Sequence, residues 1–298
     1  MSSCDIEIDS HDPKMYNSQL LAFDSSFSKG ILSKPITISE LKEASGIAAS
    51  QKYPGFYYVE NDSGNPADVF MIDSTGQLAG TIHLRGVDNR DWEDISVGKG
   101  STQGVSYIYI ADIGDNHKAH ENYYVYRLQE PDVIPDTKNP FQYYADNPEK
   151  AIFQYPKQKS HNAEAFMVSP DGTTFYVVTK GKKADVYELK LFSAEKSKIN
   201  WITSLPINKV TGGDISASGE ILIRNYTTVF LWKNKNNMAL DSLFKQIPEE
   251  TSYTLEPQGE AVCWSLDEKF YFTLSEINFG MKQFLIKYQR KSLDSKAK

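Results

Sequence analysis

A chain of 298 residues that is 40% hydrophobic can bury one large core, and a single all-β domain commonly reaches this length. The net charge of −7, the pI of 5.4 and the lack of a concentrated basic stripe exclude a nucleic-acid surface. No run of 18 apolar residues offers a membrane span, two cysteines make no disulfide framework, and 18 Tyr with 15 Phe favour strands over helices.

At the start, Met1-Ser-Ser-Cys4 leads into a polar, unpatterned stretch, so residues 1–30 read as an N-terminal extension. Ser-Ser-Cys resembles the mature start of a bacterial lipoprotein whose signal was replaced by Met1. That implies an extracytoplasmic protein touching the membrane only through lipid on Cys4, with an ordinary cytosolic start as the alternative. Leu32 to Ile38 is the first strand-like run. Five openings follow in one register: Ser45-Gly-Ile-Ala, Glu93-Asp-Ile-Ser, Glu164-Ala-Phe-Met, Thr211-Gly-Gly-Asp and Glu260-Ala-Val-Cys. They are 48, 71, 47 and 49 residues apart, a repeat with one insertion.

Each opening is followed by a second and a third apolar run, such as Gly55-Phe-Tyr-Tyr-Val59 then Asp68-Val-Phe-Met-Ile72. Most units close on a fourth run, such as Trp201-Ile-Thr-Ser-Leu205. Short β-branched and aromatic runs between Gly, Asp, Asn and Ser turns are strands, and four per unit describe a propeller blade. The fifth unit lacks its fourth strand, which Leu32 to Ile38 supplies, closing the ring and hiding both edges. The expected fold is an all-β, five-bladed β-propeller over residues 31–291, with 292–298 as a tail. Six blades is the alternative, but Glu130 to Lys150 is too short and too rich in Pro, Asp and Asn for a blade. It reads as a long excursion.

In a blade, residues just before the first strand and just after the second share one face. Asp88-Asn-Arg-Asp-Trp92, His161-Asn162 and Gln258 lie before first strands. Asn61-Asp-Ser63, Asp112-Ile-Gly-Asp-Asn116, Lys180-Gly-Lys-Lys183, Arg224-Asn-Tyr-Thr227 and Ser275-Glu-Ile-Asn278 follow second strands. Turns are polar in any case, but loops on a rigid scaffold also carry binding residues. On the axis, Ser45, Glu93, Glu164, Thr211 and Glu260 bring three carboxylates and two hydroxyls together. Three clustered carboxylates stay ionised only if something offsets their repulsion. Calcium, which takes six to eight oxygens, is the preferred cofactor; capping of neighbouring backbone amides is the structural alternative. Asp214 competes with Thr211 for its place, and Glu43 with Ser45.

The order Ser45, Glu93, Glu164, Thr211, Glu260 resembles that of the soluble calcium-activated nucleotidases (apyrases). Glu40-Leu-Lys-Glu-Ala-Ser-Gly-Ile47 followed by Tyr57-Tyr-Val-Glu-Asn-Asp-Ser-Gly64 is similar to that family's first blade. The resemblance implies a five-bladed propeller with an axial calcium held by Ser and Glu side chains. Trp92-Glu-Asp-Ile95, Asp112-Ile-Gly-Asp-Asn116, Val210-Thr-Gly-Gly-Asp-Ile-Ser216 and Pro257-Gln-Gly-Glu-Ala261 look still closer to a group of bacterial extracytoplasmic propellers without a clear assigned activity. Lys180-Gly-Lys-Lys183 stands where nucleotidases present paired arginines, so fold and calcium carry over better than activity.

Two functions follow. In a calcium-dependent hydrolase of a phosphorylated or other anionic small molecule, Lys180, Lys182, Lys183 and Arg224 hold the anion, with Asn116 and Asn225 beside them. Asp62, Asp115 or Glu276 then activates water. In a binding or scaffolding propeller, calcium only ties the blades together, and the partner is a protein or small anion. The chain reads as a monomer.

Overall fold

A computed structural model describes residue 16 and residues 21–100, 102–193, 197–278 and 280–291; Cys4 and the tail 292–298 lie outside these. β1 (Ile31–Pro35) is followed by the first blade, β2 (Ala44–Ala49), β3 (Phe56–Asn61), β4 (Asp68–Asp73) and β5 (Leu78–Arg85). The second is β6 (Trp92–Lys99), β7 (Ser106–Asp112), β8 (Tyr123–Gln129) and, after β9 (Phe141–Asp146), β10 (Glu149–Phe153). The third is β11 (Ala163–Val168), β12 (Phe175–Thr179), β13 (Ala184–Lys190) and β14 (Lys198–Leu205). The fourth is β15 (Val210–Ile215), β16 (Ile221–Asn225), β17 (Val229–Trp232) and β18 (Glu249–Thr251), with the four-residue helix α1 (Leu240–Leu243) before β18. The fifth is β19 (Gly259–Trp264), β20 (Phe270–Ser275) and β21 (Phe284–Gln289). Five sheets therefore surround one axis, as the repeat predicts.

β1 pairs antiparallel with β21, Leu32 opposite Ile286, so the N-terminal strand completes the last blade. The preceding segment is also docked, with Phe27 buried against Trp264 and Tyr271 and the Asp24 carboxylate 2.6 Å from the Lys233 ammonium. The excursion before β10 holds one element the sequence did not announce. β9 leaves its own blade and adds in parallel to β5, with Ile82 opposite Tyr143, giving the first blade a fifth strand.

The core lies between blades, in five clusters that each join two neighbours. Phe166, Val168 and Phe175 of blade three, for instance, pack on Tyr107, Tyr109 and Phe153 of blade two. Alternating side chains make this possible, because each sheet presents one apolar face to either neighbour. Near the axis two carboxylates clamp first strands across a gap. Asp94 accepts hydrogen bonds from Ile95 N and Phe166 N at 2.9 and 2.8 Å, and Asp214 accepts from Ile215 N and Trp264 N at 2.8 Å each.

Candidate functional site: an acidic centre on the axis

Every first strand opens with a β-bulge, and the skipped residues are Ser45, Glu93, Glu164, Thr211 and Glu260. A bulged residue has no partner across the ladder and its side chain is re-aimed. At four of the five a small residue adjoins the bulge, Gly46, Ala165, Gly212 and Ala261, whereas Glu93 lies between Trp92 and Asp94. Thr211, not Asp214, and Ser45, not Glu43, hold the equivalent positions. Asp214 is the strand clamp described above, and the Glu43 carboxylate accepts from Asn65 Nδ2 at 2.6 Å in an exposed turn.

All five residues are buried, but they divide by chemistry. The Ser45 hydroxyl donates to Glu93 O at 2.8 Å and the Thr211 hydroxyl to Gly259 O at 3.1 Å, so both tie neighbouring blades together. The three glutamates remain around a cation supplied by the chain. Lys180 Nζ lies 2.8 Å from Glu164 Oε2 and 5.4 Å from the centre of the Tyr226 ring. Burial works against this ammonium, yet Glu164 and Glu260 hold its pKa above the ordinary lysine value. Burial pushes Glu164 up to about 7 in spite of Lys180. Glu93 is raised well above the carboxylate range by burial first and then by Glu164, Asp62 and Asp91. Glu260 is raised by burial, and its Oε2 has no hydrogen-bond partner.

The ladders place a second ring just outside the first. Asn61, Asp112, Thr179, Asn225 and Ser275 occupy the same position at the ends of the second strands. The next residues are therefore Asp62, Ile113, Lys180, Tyr226 and Glu276. Asp62 and Glu276 come to the axis in this way. Burial pushes Glu276 up to about 8, helped by Glu260 and Asp62, and burial raises Asp62, with Asp91 adding to it.

Asp91 is the residue that sequence reasoning missed, although its loop was assigned to this face. Carboxylate oxygens of Asp62, Asp91 and Glu93 all lie within 4.8 Å of one another. Gly114 makes that approach possible: a β-carbon there would stand 2.2 Å from Glu93 Oε1 and 2.5 Å from Asp91 Oδ2. The cluster fits a hard divalent cation, because it offers only charged oxygens, a glycine keeps the space open, and the neighbouring Glu260 oxygen is unpartnered.

The remaining expected residues lie elsewhere or serve the scaffold. Asp115 is buried, and its carboxylate accepts from Ala119 N, His120 N and Tyr123 Oη at 2.7, 3.0 and 2.8 Å. Those bonds outweigh burial and lower its pKa. It caps its own loop and is not placed to activate water. Arg224 is fully buried inside β16, with Nη1 3.1 Å from Glu256 Oε2 and 2.9 Å from Ala261 O, and Nη2 2.6 Å from Tyr253 Oη. It is enclosed between blades four and five rather than on the open face, where a β-carbon at Gly259 would run into its guanidinium. Asn225 folds over its own turn, accepting from Thr227 N and Thr228 N. Asn116 Oδ1 accepts from Asn162 Nδ2 at 3.1 Å, and Asn162 Nδ2 also reaches Glu164 Oε1 at 2.9 Å. Lys182 and Lys183 lie on the loop after β12, Lys182 exposed and Lys183 half-buried.

No family model matches the chain, and no curated protein does. Among solved structures the chain is similar to hydrazine synthase of Kuenenia stuttgartiensis, at 13% identity and a TM-score of 0.43, over 84% of this chain and 72% of that one. It is also similar to a gluconolactonase from Xanthomonas campestris, at 11% identity and a TM-score of 0.47, over 88% of this chain and 97% of that one.

Proposed function

We propose that this propeller binds calcium on its axis and hydrolyses a small anionic substrate there. The observation that carries it is the close approach of Asp62, Asp91 and Glu93, kept open by Gly114. These three carboxylates would hold the ion. A bound divalent cation supplies charge neutralisation and orients oxygen ligands. Lys180 already neutralises the Glu164–Glu260 side of the ring, so the seat for a metal is displaced towards blades one and two.

The chain's own groups provide for proton transfer. Glu276, whose carboxyl burial pushes up to about 8, is the group that would give a proton to a leaving group. Glu260 Oε2 is a buried acceptor without a partner and can take a proton from water. A non-enzymatic propeller with a structural ion is the second reading, favoured by the depth of Glu93, which is only 3% exposed.

The test combines melting with turnover. Calcium after EDTA is expected to raise the melting temperature of the intact protein by several degrees, and Asp91→Asn to abolish the rise. An unchanged melting point in the wild type refutes the metal site. A calcium-dependent rise with no phosphate release from nucleoside di- and triphosphates, and no hydrolysis of sugar phosphates, leaves the binding propeller instead.

A further inference from the structure

Next to the acidic centre, and sharing Lys180 with it, lies a cleft of about 360 Å3 formed by loops of blades two, three and four. Lys118, Lys180, Lys182 and Lys209 line it together with asparagine amides and Gly181, and no carboxylate takes part. The chain as a whole has 39 acidic against 32 basic residues. Four lysines on one wall without an acid are therefore a local reversal of sign, and a concave reversal focuses anions. Among the described residues no ion pair engages Lys118, Lys182 or Lys209.

The walls are built rather than incidental. Asn162, only 8% exposed, accepts from Asp115 N at 2.6 Å and donates to Asn116 and Glu164, so it fixes the blade-two loop to the acidic centre. Its carbonyl receives Lys180 N, and Gly181 O receives Lys209 N, each at 2.9 Å. Lys118 and Lys209 hold φ of 52° and 51°. This left-handed conformation is unfavourable for residues with a side chain and tends to persist where the surroundings require it.

We propose that this cleft seats a phosphoryl group of the substrate, an inference that rests on the hydrolase function above and narrows its substrate to a small phosphorylated molecule. The acidic centre by itself repels anions, so an anionic substrate needs a second pole. A carboxylate brings one charge and two oxygens. A phosphoryl group brings up to two charges and three terminal oxygens, which several ammonium groups can share. Lys180 donates to Glu164 with one N–H and has others for the cleft, so it lies on the boundary between the two poles. The volume is at the lower end of small-molecule sites, which suits a phosphorylated end with the scissile part reaching the axis.

The experiment is calorimetric titration of the intact protein with inorganic phosphate, first in EDTA and then in calcium, with acetate at equal ionic strength as the control anion. Phosphate is expected to bind in EDTA. Lys182→Ala and Lys209→Ala, both at exposed positions whose melting points verify folding, should each weaken it about tenfold, the loss of one bond to a charged group. Asp91→Asn should leave it intact. Equal responses to acetate, or indifference to both lysine variants, overturn the cleft. Phosphate binding that appears only with calcium and vanishes in Asp91→Asn puts the anion on the metal: the cleft fails while the proposed function stands. Lysine-dependent binding in EDTA supports the cleft whether or not calcium alters it, and the melting response to calcium decides the metal separately.

Discussion

Gly114→Ala isolates the metal site with a single methyl group. Its β-carbon would lie 2.2 Å from Glu93 Oε1 and 2.5 Å from both Cγ and Oδ2 of Asp91, about 1 Å inside ordinary contact. Two carboxylates must therefore retreat at once. Calcium ligands sit within about 2.3–2.6 Å of the ion, so a displacement on this scale removes both from the coordination sphere. Losing support of that kind costs on the order of 100-fold in affinity. At a calcium concentration about 100 times the wild-type Kd, linkage gives about 2.7 kcal/mol of stabilisation, and a 100-fold weaker site retains about 0.4 kcal/mol. At ~2–4 °C per kcal/mol, the calcium-induced rise in melting should shrink from roughly 5–10 °C to about 1 °C. Scanning fluorimetry with and without EDTA measures it. The calcium-free variant should also lose about 1–3 kcal/mol to overpacking. A variant with the full wild-type calcium response would show that Asp91 and Glu93 are not ligands.

Arg224→Met should cost about 3–5 kcal/mol, because it leaves Glu256 buried without its partner; a urea midpoint giving less than 1 kcal/mol would refute that role. Stability in EDTA should fall as pH rises from about 5 to 8. Asp214 and Glu164 are pushed up to about 7 and Glu276 to about 8, chiefly by burial. The native state therefore keeps protons that the unfolded chain has lost, and stability declines where the native state binds more. Denaturant titrations at unit pH steps check the sign, and a rise towards pH 8 would contradict it. Calcium should flatten the slope, since it replaces protons as the source of positive charge.

The ring was legible because spacing alone identifies equivalent residues in a repeat, and each equivalent residue proved to be a bulge. The closing strand was legible for a related reason, since a blade one strand short demands a partner. β9 was hidden because parallel pairing to a distant strand leaves no local turn signal, and Phe141 to Asp146 sits among Pro, Asp and Asn. Arg224 misled because its charge suggests solvent. The visible counter-signal was the glycine opposite it, Gly212, which the ladder pairs directly with Arg224. Asp91 was missed because only the bulge position was counted, whereas the ring around it is built from residues two before the bulge and one beyond the second strand. Lys180 was expected to meet an anion from solvent. Its place in the second ring turns it onto Glu164 instead, and only its remaining donors face outward.

The division of charge around Lys180 explains why the acidic centre is asymmetric. Ionised carboxylates with oxygens within 4.8 Å of one another repel by at least about 3 kcal/mol per pair at an effective dielectric near 20. On the Glu164–Glu260 side the fold answers with an ammonium that is covalently part of blade three and always present. On the Asp62–Asp91–Glu93 side the ring position that would answer it, between Asp62 and Lys180, is Ile113, which is buried and apolar. Arg90 offsets part of the repulsion at Asp91 and Lys180 part of that at Glu93, and protons or an ion from outside would relieve the rest. Glu93, Asp62 and Asp91 are all raised, by burial first and then by neighbouring carboxylates. If a cation is held on the second side as proposed, its occupancy would be the variable that turns the centre from repelling an anion to accepting it.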